Sequence, residues 1–163
     1  MASYGPTDYT ALCRWMFFHG QQIPDNAVAG GEEKGEVVYV GRAVHGNDVI
    51  PGKVVRSQGL CFVPYGGKEF PYTDYQALVS EGASLEWVPD SGGSVPSGAL
   101  PGGKAASGEQ LYVGRARHEG ILIPGKVHPS YKCVFVPYGG QEFSYAEYEV
   151  LVAKKISFRE AKQ

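Results

Sequence analysis

Two lysines stand in the same short motif and are the first candidates for ligand binding. Lys53 follows Pro51-Gly52, and Lys126 follows Pro124-Gly125. We expect each Pro-Gly pair to form a turn that presents the lysine at the mouth of a strand. An ammonium group there offers three rotatable N–H donors to a hydroxyl-rich ligand. The alternative interpretation is a solvated lysine at the end of a strand.

Carboxylates precede the first lysine, in the segment that follows Gly30-Gly31. Glu32 and Glu33 lie there, and either carboxylate could accept hydrogen bonds from neighbouring sugar hydroxyls. A carboxylate and an ammonium together can hold a pyranose diol from both sides. The alternative is a solvated acidic turn.

The second copy departs from this pattern, because its segment after Gly102 contains no acid up to Ser107. Glu109, which aligns with Glu36, could supply the missing carboxylate. The sequence therefore predicts an unequal pair of sites, with Lys53 in the stronger one.

Repeated aromatic residues provide possible walls for a ligand. The copies share a tryptophan near their start, Trp15 or Trp87, and a tyrosine before a Gly-Gly pair, Tyr65 or Tyr138. We expect the tryptophans to be core residues, and we interpret the tyrosines as more open to a ligand.

A repeated arginine, followed three residues later by a histidine, could suggest acid–base chemistry. We favour a structural role, in which Arg42 crosses to Glu69 and Arg115 crosses to Glu142. A hydrolase that uses Glu69 and Glu142 as paired carboxylates is an alternative. We nevertheless expect no catalytic activity, because these residues look like duplicated scaffold.

These residues belong to a duplication that runs through most of the chain. Residues 39–79 and 112–152 align at a constant offset of 73, and 24 of the 41 aligned positions are identical. We divide the chain into an N-terminal extension (1–12), repeat one (13–80), repeat two (85–153) and a polar C-terminal tail (154–163). The join is too short for a flexible linker, so the repeats should touch and could share one core.

Short apolar segments separated by turn residues predict an all-β fold. In repeat one these segments are 37–40, 53–55, 60–63 and 75–79. We expect turns between them at Gly41-Arg42, Asn47-Asp48, Pro51-Gly52 and Gly66-Gly67. The last pair fits a two-residue hairpin loop, in which both central residues need positive φ.

Charge and hydrophobicity argue against nucleic-acid binding and against a membrane span. The formal net charge of −2 argues against a nucleic-acid binder, which would normally carry a basic stripe. No apolar run is long enough to predict a membrane span. The first residues lack the features of a signal peptide, so we expect a cytoplasmic protein or one secreted by an unconventional route.

Cysteines and histidines give no sign of a disulfide framework, a metal site or a cofactor. The chain has three cysteines, and neither Cys61 nor Cys133 is repeated at the equivalent position. We interpret these two as buried small hydrophobic residues. The four histidines lack the short spacing of metal ligands. We therefore expect neither a metal nor a cofactor.

The duplicated motifs resemble the DM9 repeat. The resemblance rests on a tryptophan followed nine residues later by proline, then Gly-Gly, Tyr-Val-Gly-Arg-Ala-x-His, Ile-Pro-Gly-Lys-Val and Phe-Val-Pro-Tyr-Gly-Gly-x-Glu-Phe. It extends over residues 13–152. Two tandem copies resemble the small DM9 proteins of invertebrates, which include a mollusc lectin that binds mannose.

The resemblance implies both a fold and a function. The expected fold is all-β, with two tandem DM9-like repeats packed as one compact antiparallel β unit. The expected function is a mannose-preferring lectin that recognises microbial glycans in innate immunity, with weak single sites strengthened by multivalency in a homodimer. The alternative is a non-catalytic protein-interaction or stress-response adaptor without a sugar ligand.

The resemblance also assigns the sugar-binding residues. The acid falls on Glu33, or on Glu32 because the copies differ by one residue in length there, and the lysine falls on Lys53. Lys126 is the counterpart in repeat two, with Glu36 and Glu109 as further candidates. Where the family has aspartate, Glu33 is one methylene longer, and this difference is expected to shift or weaken the sugar.

Overall fold

A computed structural model of the chain describes residues 8–10 and 13–157 and is almost entirely β-structure, which confirms the predicted fold class. The extension and repeat one contain β1 Asp8–Thr10, β2 Cys13–His19, β3 Ala29–Glu33, β4 Glu36–His45, β5 Asp48–Val55, β6 Leu60–Tyr65, β7 Lys68–Tyr72 and β8 Asp74–Ser80. Repeat two contains β9 Ser84–Ser91, β10 Pro101–Lys104, β11 Gln110–His118, β12 Ile121–His128, β13 Cys133–Tyr138, β14 Gln141–Tyr145 and β15 Glu147–Ser157. Single 3₁₀ turns, Arg56–Gln58 and Pro129–Tyr131, link β5 to β6 and β12 to β13.

The two repeats have the same antiparallel topology. In repeat one, β3 to β7 pair in chain order, and β8 returns to pair with β4 and β2. In repeat two, β10 to β14 and then β15 do the same. The repeats join into one sheet where β7 meets β14 and where β5 meets β10. Each repeat therefore presents its β5 or β12 lysine beside strands of the other.

The predicted shared core exists alongside one core in each repeat. Its buried members are Val40, Leu78, Val113 and Leu151. Trp15 and Trp87 pack against this shared cluster, as the sequence predicted for the tryptophans. Because both repeats contribute equally, neither can bury its apolar face without the other.

Two arginines fasten the repeats to each other. The guanidinium of Arg42 donates to the carbonyl oxygen of Gly102 at 3.3 Å, and that of Arg115 donates to the carbonyl oxygen of Gly30 at 3.1 Å. Each guanidinium also lies over a tryptophan ring, at 4.3 Å from Trp15 and 4.2 Å from Trp87. The Gly-Gly segment of each repeat is thus held by the arginine of the other.

The predicted arginine–glutamate pairs are wrong. Arg42 Nε donates to Gln76 at 2.8 Å, and Arg115 Nε donates to Glu149 at the same distance. Both partners lie on β8 or β15, directly opposite the arginine in register. Strand order explains the error, because β8 lies beside β4 and the strand that carries Glu69 does not.

Two of the predicted turns are also wrong. Gly41-Arg42 and Pro51-Gly52 lie inside β4 and β5. Gly52 is required by close packing, because a Cβ at this position would lie 2.0 Å from the carbonyl oxygen of Phe62. A glycine inside a strand often marks such a close approach of another backbone.

Other turns agree with the sequence. Gly66 and Gly67 have φ angles of 58° and 84°, and they form the predicted hairpin loop. The turn predicted at Asn47-Asp48 lies one residue earlier, at Gly46 and Asn47, and Asp48 is the first residue of β5. Residues 75–79, predicted as a strand, lie within β8.

The first and last described strands pair with each other. β1, from the predicted extension, pairs with β15, which continues to Ser157 into the predicted tail. The remainder of both segments lies outside the described residues. Within the described part of the chain, no helix is long and apolar enough to cross a membrane. Cys61 is fully buried, as predicted, and burial raises the pKa of its thiol well above the usual range. Cys133 is only partly buried.

Candidate lysine–carboxylate site

Lys53 lies in the interior of a strand and is buried. Only 2% of the residue is exposed, which differs from both sequence interpretations of a lysine at the mouth of a strand. The reason is the close packing at Gly52, the residue that precedes the lysine, where β5 lies directly against the backbone of β6. A buried ammonium needs counter-charges and hydrogen bonds. The side chains around Lys53 therefore define the site.

Two carboxylates meet the Lys53 ammonium. Nζ donates a hydrogen bond to Glu33 Oε1 at 2.6 Å and forms an ion pair with Glu69 Oε2 at 3.3 Å, without hydrogen-bond geometry. Both glutamate side chains are about nine-tenths buried, at 10% exposure. The structure thus brings together the lysine and the acid that the resemblance singled out. It adds Glu69, which the sequence interpretation had assigned to a different partner.

A tight hairpin places Glu33. β3 ends at Glu33, and Lys34 and Gly35, both with positive φ, turn the chain into β4. Successive side chains of a strand point to opposite faces, so only one of two adjacent glutamates can face the lysine. Glu33 does so, whereas Glu32 is exposed.

Repeat two forms one wall of this site. The ring of Tyr138 lies 5.2 Å from Lys53 Nζ, close to the 5.5 Å of the Phe62 ring from repeat one. The backbone N–H of Gly140, next to Tyr138, donates to Glu69 Oε1 at 3.2 Å. The ring of His118 contacts the same tyrosine in a tilted arrangement, with ring centroids 5.2 Å apart. The site is therefore assembled from both repeats.

Lys126 has a similar setting with fewer polar contacts. It is 5% exposed, and the rings of Tyr65 and Phe135 lie 5.3 and 5.2 Å from Nζ. Its ion pair with Glu142 Oε2 is longer, at 3.8 Å. Burial lowers the pKa of Lys126 below its usual range, and the carboxylates of Glu142 and Asp48 act in the opposite direction.

Glu36 and Glu109 are placed at the 3₁₀ turns and not at the lysines. Glu36 accepts hydrogen bonds from the backbone N–H and hydroxyl of Ser57, and Glu109 does the same with Ser130. These bonds, led by that of the Ser130 hydroxyl, hold the pKa of Glu109 below its usual range. Neither carboxylate has a lysine partner in the described part of the chain. Both fix the turn that follows the lysine strand.

The site chemistry is that of a hydrogen-bonding surface. Among the described residues, no group of three or more histidine, cysteine or acidic side chains is arranged to hold a metal ion. The ammonium, the carboxylates and the aromatic rings can together bind a polar ligand that has both hydroxyl groups and apolar faces. Sequence motifs pointed to Tyr138 as an open residue, but not to the lysine that it covers.

Comparison with known proteins places this arrangement in a family. The model of the DM9 repeat matches residues 32–145, a span that includes both lysines. The chain belongs to the DM9 repeat family. This DM9 chain is 33% identical over 143 residues to Natterin-3 and 34% identical over 142 residues to Natterin-4, both from Thalassophryne nattereri.

The alignments cover 85% and 84% of the DM9 chain, but 36% and 33% of the natterins. The chain thus spans about a third of the length of these relatives. The crystal structure of the nematode sperm cell motility protein MFP2B is similar in fold. Its TM-score is 0.69 at 16% sequence identity, with 99% of this chain and 51% of that chain covered.

Proposed function

We propose that this DM9 protein is a lectin that binds carbohydrate, with a preference for mannose, at the Lys53 site. The observation that carries the proposal is the buried ammonium of Lys53, hydrogen-bonded to Glu33 at 2.6 Å beneath the ring of Tyr138. Support for mannose comes from the resemblance to mannose-binding members of the DM9 family.

The geometry suits a sugar diol. One N–H of Lys53 bonds Glu33, and an ammonium has two more N–H groups to donate. A hydroxyl that accepts from Lys53 can donate its own hydrogen to Glu33, so that both bonds are charge-assisted. The tyrosine ring offers an apolar surface to the C–H face of the pyranose. The site binds its ligand without a chemical step.

Affinity at such a site should be low. Few hydrogen bonds and one aromatic wall correspond to a Kd on the order of mM to µM. Recognition of microbial glycans in innate immunity, which we include in the proposal, would then require several sites acting together on a repetitive surface. A homodimer would supply them.

Calorimetric titration with methyl α-mannoside tests the proposal. We expect binding by the wild-type protein and a loss of about tenfold or more in Glu33→Gln, because a charged acceptor becomes a neutral one. Glu32→Gln is the matched control, since its exposed side chain lies on the other face of β3, and it should bind like the wild type. Absence of heat at mM sugar, or equal binding by both variants, would refute the proposal.

The microbial role has a separate test. Binding to mannan-coated beads should be displaced by free mannose and should be lost in Glu33→Gln. Capture of a protein partner that persists in saturating mannose would instead favour the adaptor function.

A further inference from the structure

Lys126 is a nearly buried residue whose ammonium has no close acidic partner. Among the described residues, its nearest acidic atom is Glu142 Oε2, at 3.8 Å, which is beyond hydrogen-bond distance. Glu142 Oε2 is itself buried and lacks a hydrogen-bond partner there. A buried carboxylate oxygen without a hydrogen-bond partner, beside a nearly buried ammonium, is costly. Such an arrangement is expected where a ligand completes the hydrogen bonds.

Repeat two lacks an equivalent of Glu33, but repeat one brings an acid to the same place. At the offset of 73, Asp48 of repeat one corresponds to Ile121 of repeat two. Ile121 lines the same surface cavity as Glu33. The repeats contact each other reciprocally, as the bonds of Arg42 to Gly102 and of Arg115 to Gly30 show, so Asp48 should occupy the matching position beside the hairpin of repeat two.

The strand pairing supports this placement. Val49, the neighbour of Asp48, pairs with Lys104 at the end of β10, where the acid-free segment begins. Asp48 is only 7% exposed, although it directly follows a hairpin turn. Burial lowers the pKa of Lys126, and the negative charge of Asp48 is one of the smaller effects that raise it. The two groups do not form a direct ion pair.

We propose that Lys126, Asp48 and Glu142, beneath the rings of Tyr65 and Phe135, form a second carbohydrate site. In this site the acid is supplied across the repeat boundary. The inference rests on the proposed function, because it assigns the same ligand class, a pyranose diol. The second site is not a duplicate of the first, because its additional carboxylate, Asp48, comes from β5 of the other repeat, whereas Glu33 comes from the β3 hairpin of the same repeat.

Two consequences distinguish the second site. Its ammonium lies 3.8 Å from the nearest carboxylate oxygen, whereas that of Lys53 is bonded to Glu33 at 2.6 Å, so more of its donors are available to the ligand. One chain would also carry two sites, which gives a monomer the capacity to bridge two sugar residues.

Two glycine amides report on the sites separately. The N–H of Gly140 donates to Glu69 at the Lys53 site, and the N–H of Gly67 donates to Glu142 at the Lys126 site. In a ¹⁵N–¹H spectrum of the full chain titrated with methyl α-mannoside, we expect both amides to shift and to saturate at different sugar concentrations.

Variants assign the two responses. Asp48→Asn should reduce the affinity reported by Gly67 about tenfold and leave that of Gly140 within about twofold. Lys53→Met should do the reverse. Asn47→Ala, an exposed change in the same hairpin, is the matched control for Asp48. If the spectrum of Asp48→Asn shows unfolding, Lys126→Met provides the second test at the same site.

The outcomes separate the two proposals. A response of Gly140 alone, or a Gly67 response that Asp48→Asn and Lys126→Met both leave unchanged, overturns the second site and leaves the first intact. A response of neither amide at mM sugar overturns the proposed function and the second site together.

Discussion

Replacement of the two motif lysines by methionine should have unequal effects on stability. Lys53 and Lys126 occupy the same position of the repeat, are 2% and 5% exposed, and each lies beside two aromatic rings. The change in apolar burial should therefore nearly cancel between the variants. What differs is the 2.6 Å hydrogen bond to Glu33, which has no counterpart at Lys126.

The expected magnitude follows from that bond. Removing one partner of a buried ion pair costs about 3–5 kcal/mol, so Lys53→Met should lose a free energy of unfolding in this range. A hydrogen bond to a charged group contributes about 1.5–3 kcal/mol, so Lys126→Met should be less destabilising by roughly that amount. Adding Glu33→Gln to Lys53→Met should restore part of the loss, because one of the two buried carboxylates that lost their counter-charge, Glu33 and not Glu69, becomes neutral.

Urea unfolding, followed by the fluorescence of Trp15 and Trp87 in the shared core, measures these differences. The reasoning is refuted if Lys126→Met is as destabilising as Lys53→Met. It is also refuted if the effects of Lys53→Met and Glu33→Gln are simply additive.

Further predictions concern the aromatic ring of Tyr138, the close strand packing at Gly52 and the pKa of Lys126. Tyr138→Leu should weaken calorimetric mannose binding at the Lys53 site by about fivefold, which corresponds to an aromatic contact worth about 1 kcal/mol. Tyr131→Leu should leave binding at that site unchanged, because its exposed ring packs on His128 and Phe135 and is not one of the two rings at Lys53. Gly52→Ala should lower the midpoint of thermal unfolding sharply or prevent folding, since its Cβ would lie 2.0 Å from a backbone oxygen; an unchanged midpoint would contradict the close approach. The pKa of Lys126 is lower in the folded than in the unfolded state, so between pH 8 and 10 the folded state loses this proton first. The free energy of unfolding, relative to that of Lys126→Met, should therefore rise with pH, by at most about 1.4 kcal/mol per pH unit. Urea unfolding of both proteins at the two pH values checks this, and a constant difference would count against it.

Much of the fold could be predicted from local patterns because the repeat presents them twice. Short apolar segments between turn residues predicted the strands, and the Gly66-Gly67 pair predicted a hairpin from the φ angles it requires. The same logic failed at Pro51-Gly52, where glycine is needed for a close strand crossing and not for a turn. A glycine has the same sequence signature in both situations, and only the neighbouring strand distinguishes them.

The candidate site was only partly predictable, for a related reason. Motif spacing and family resemblance singled out Lys53 and Glu33, which the structure brings into contact. Contacts between the repeats leave no local pattern in the sequence. The alignment of one repeat with the other therefore could not predict that Tyr138 lies over Lys53, or that the charge of Asp48 acts on Lys126. Strand order had to be known first.

A crystal structure with bound mannose would show directly whether the sugar lies at Lys53. We expect a pyranose with vicinal hydroxyls within about 3 Å of both Lys53 Nζ and Glu33, and with its ring against Tyr138. Crystals of Glu33→Gln soaked in the same way should show that position empty of sugar. Mannose bound only elsewhere on the protein, or bound equally at this position in the variant, would contradict the account.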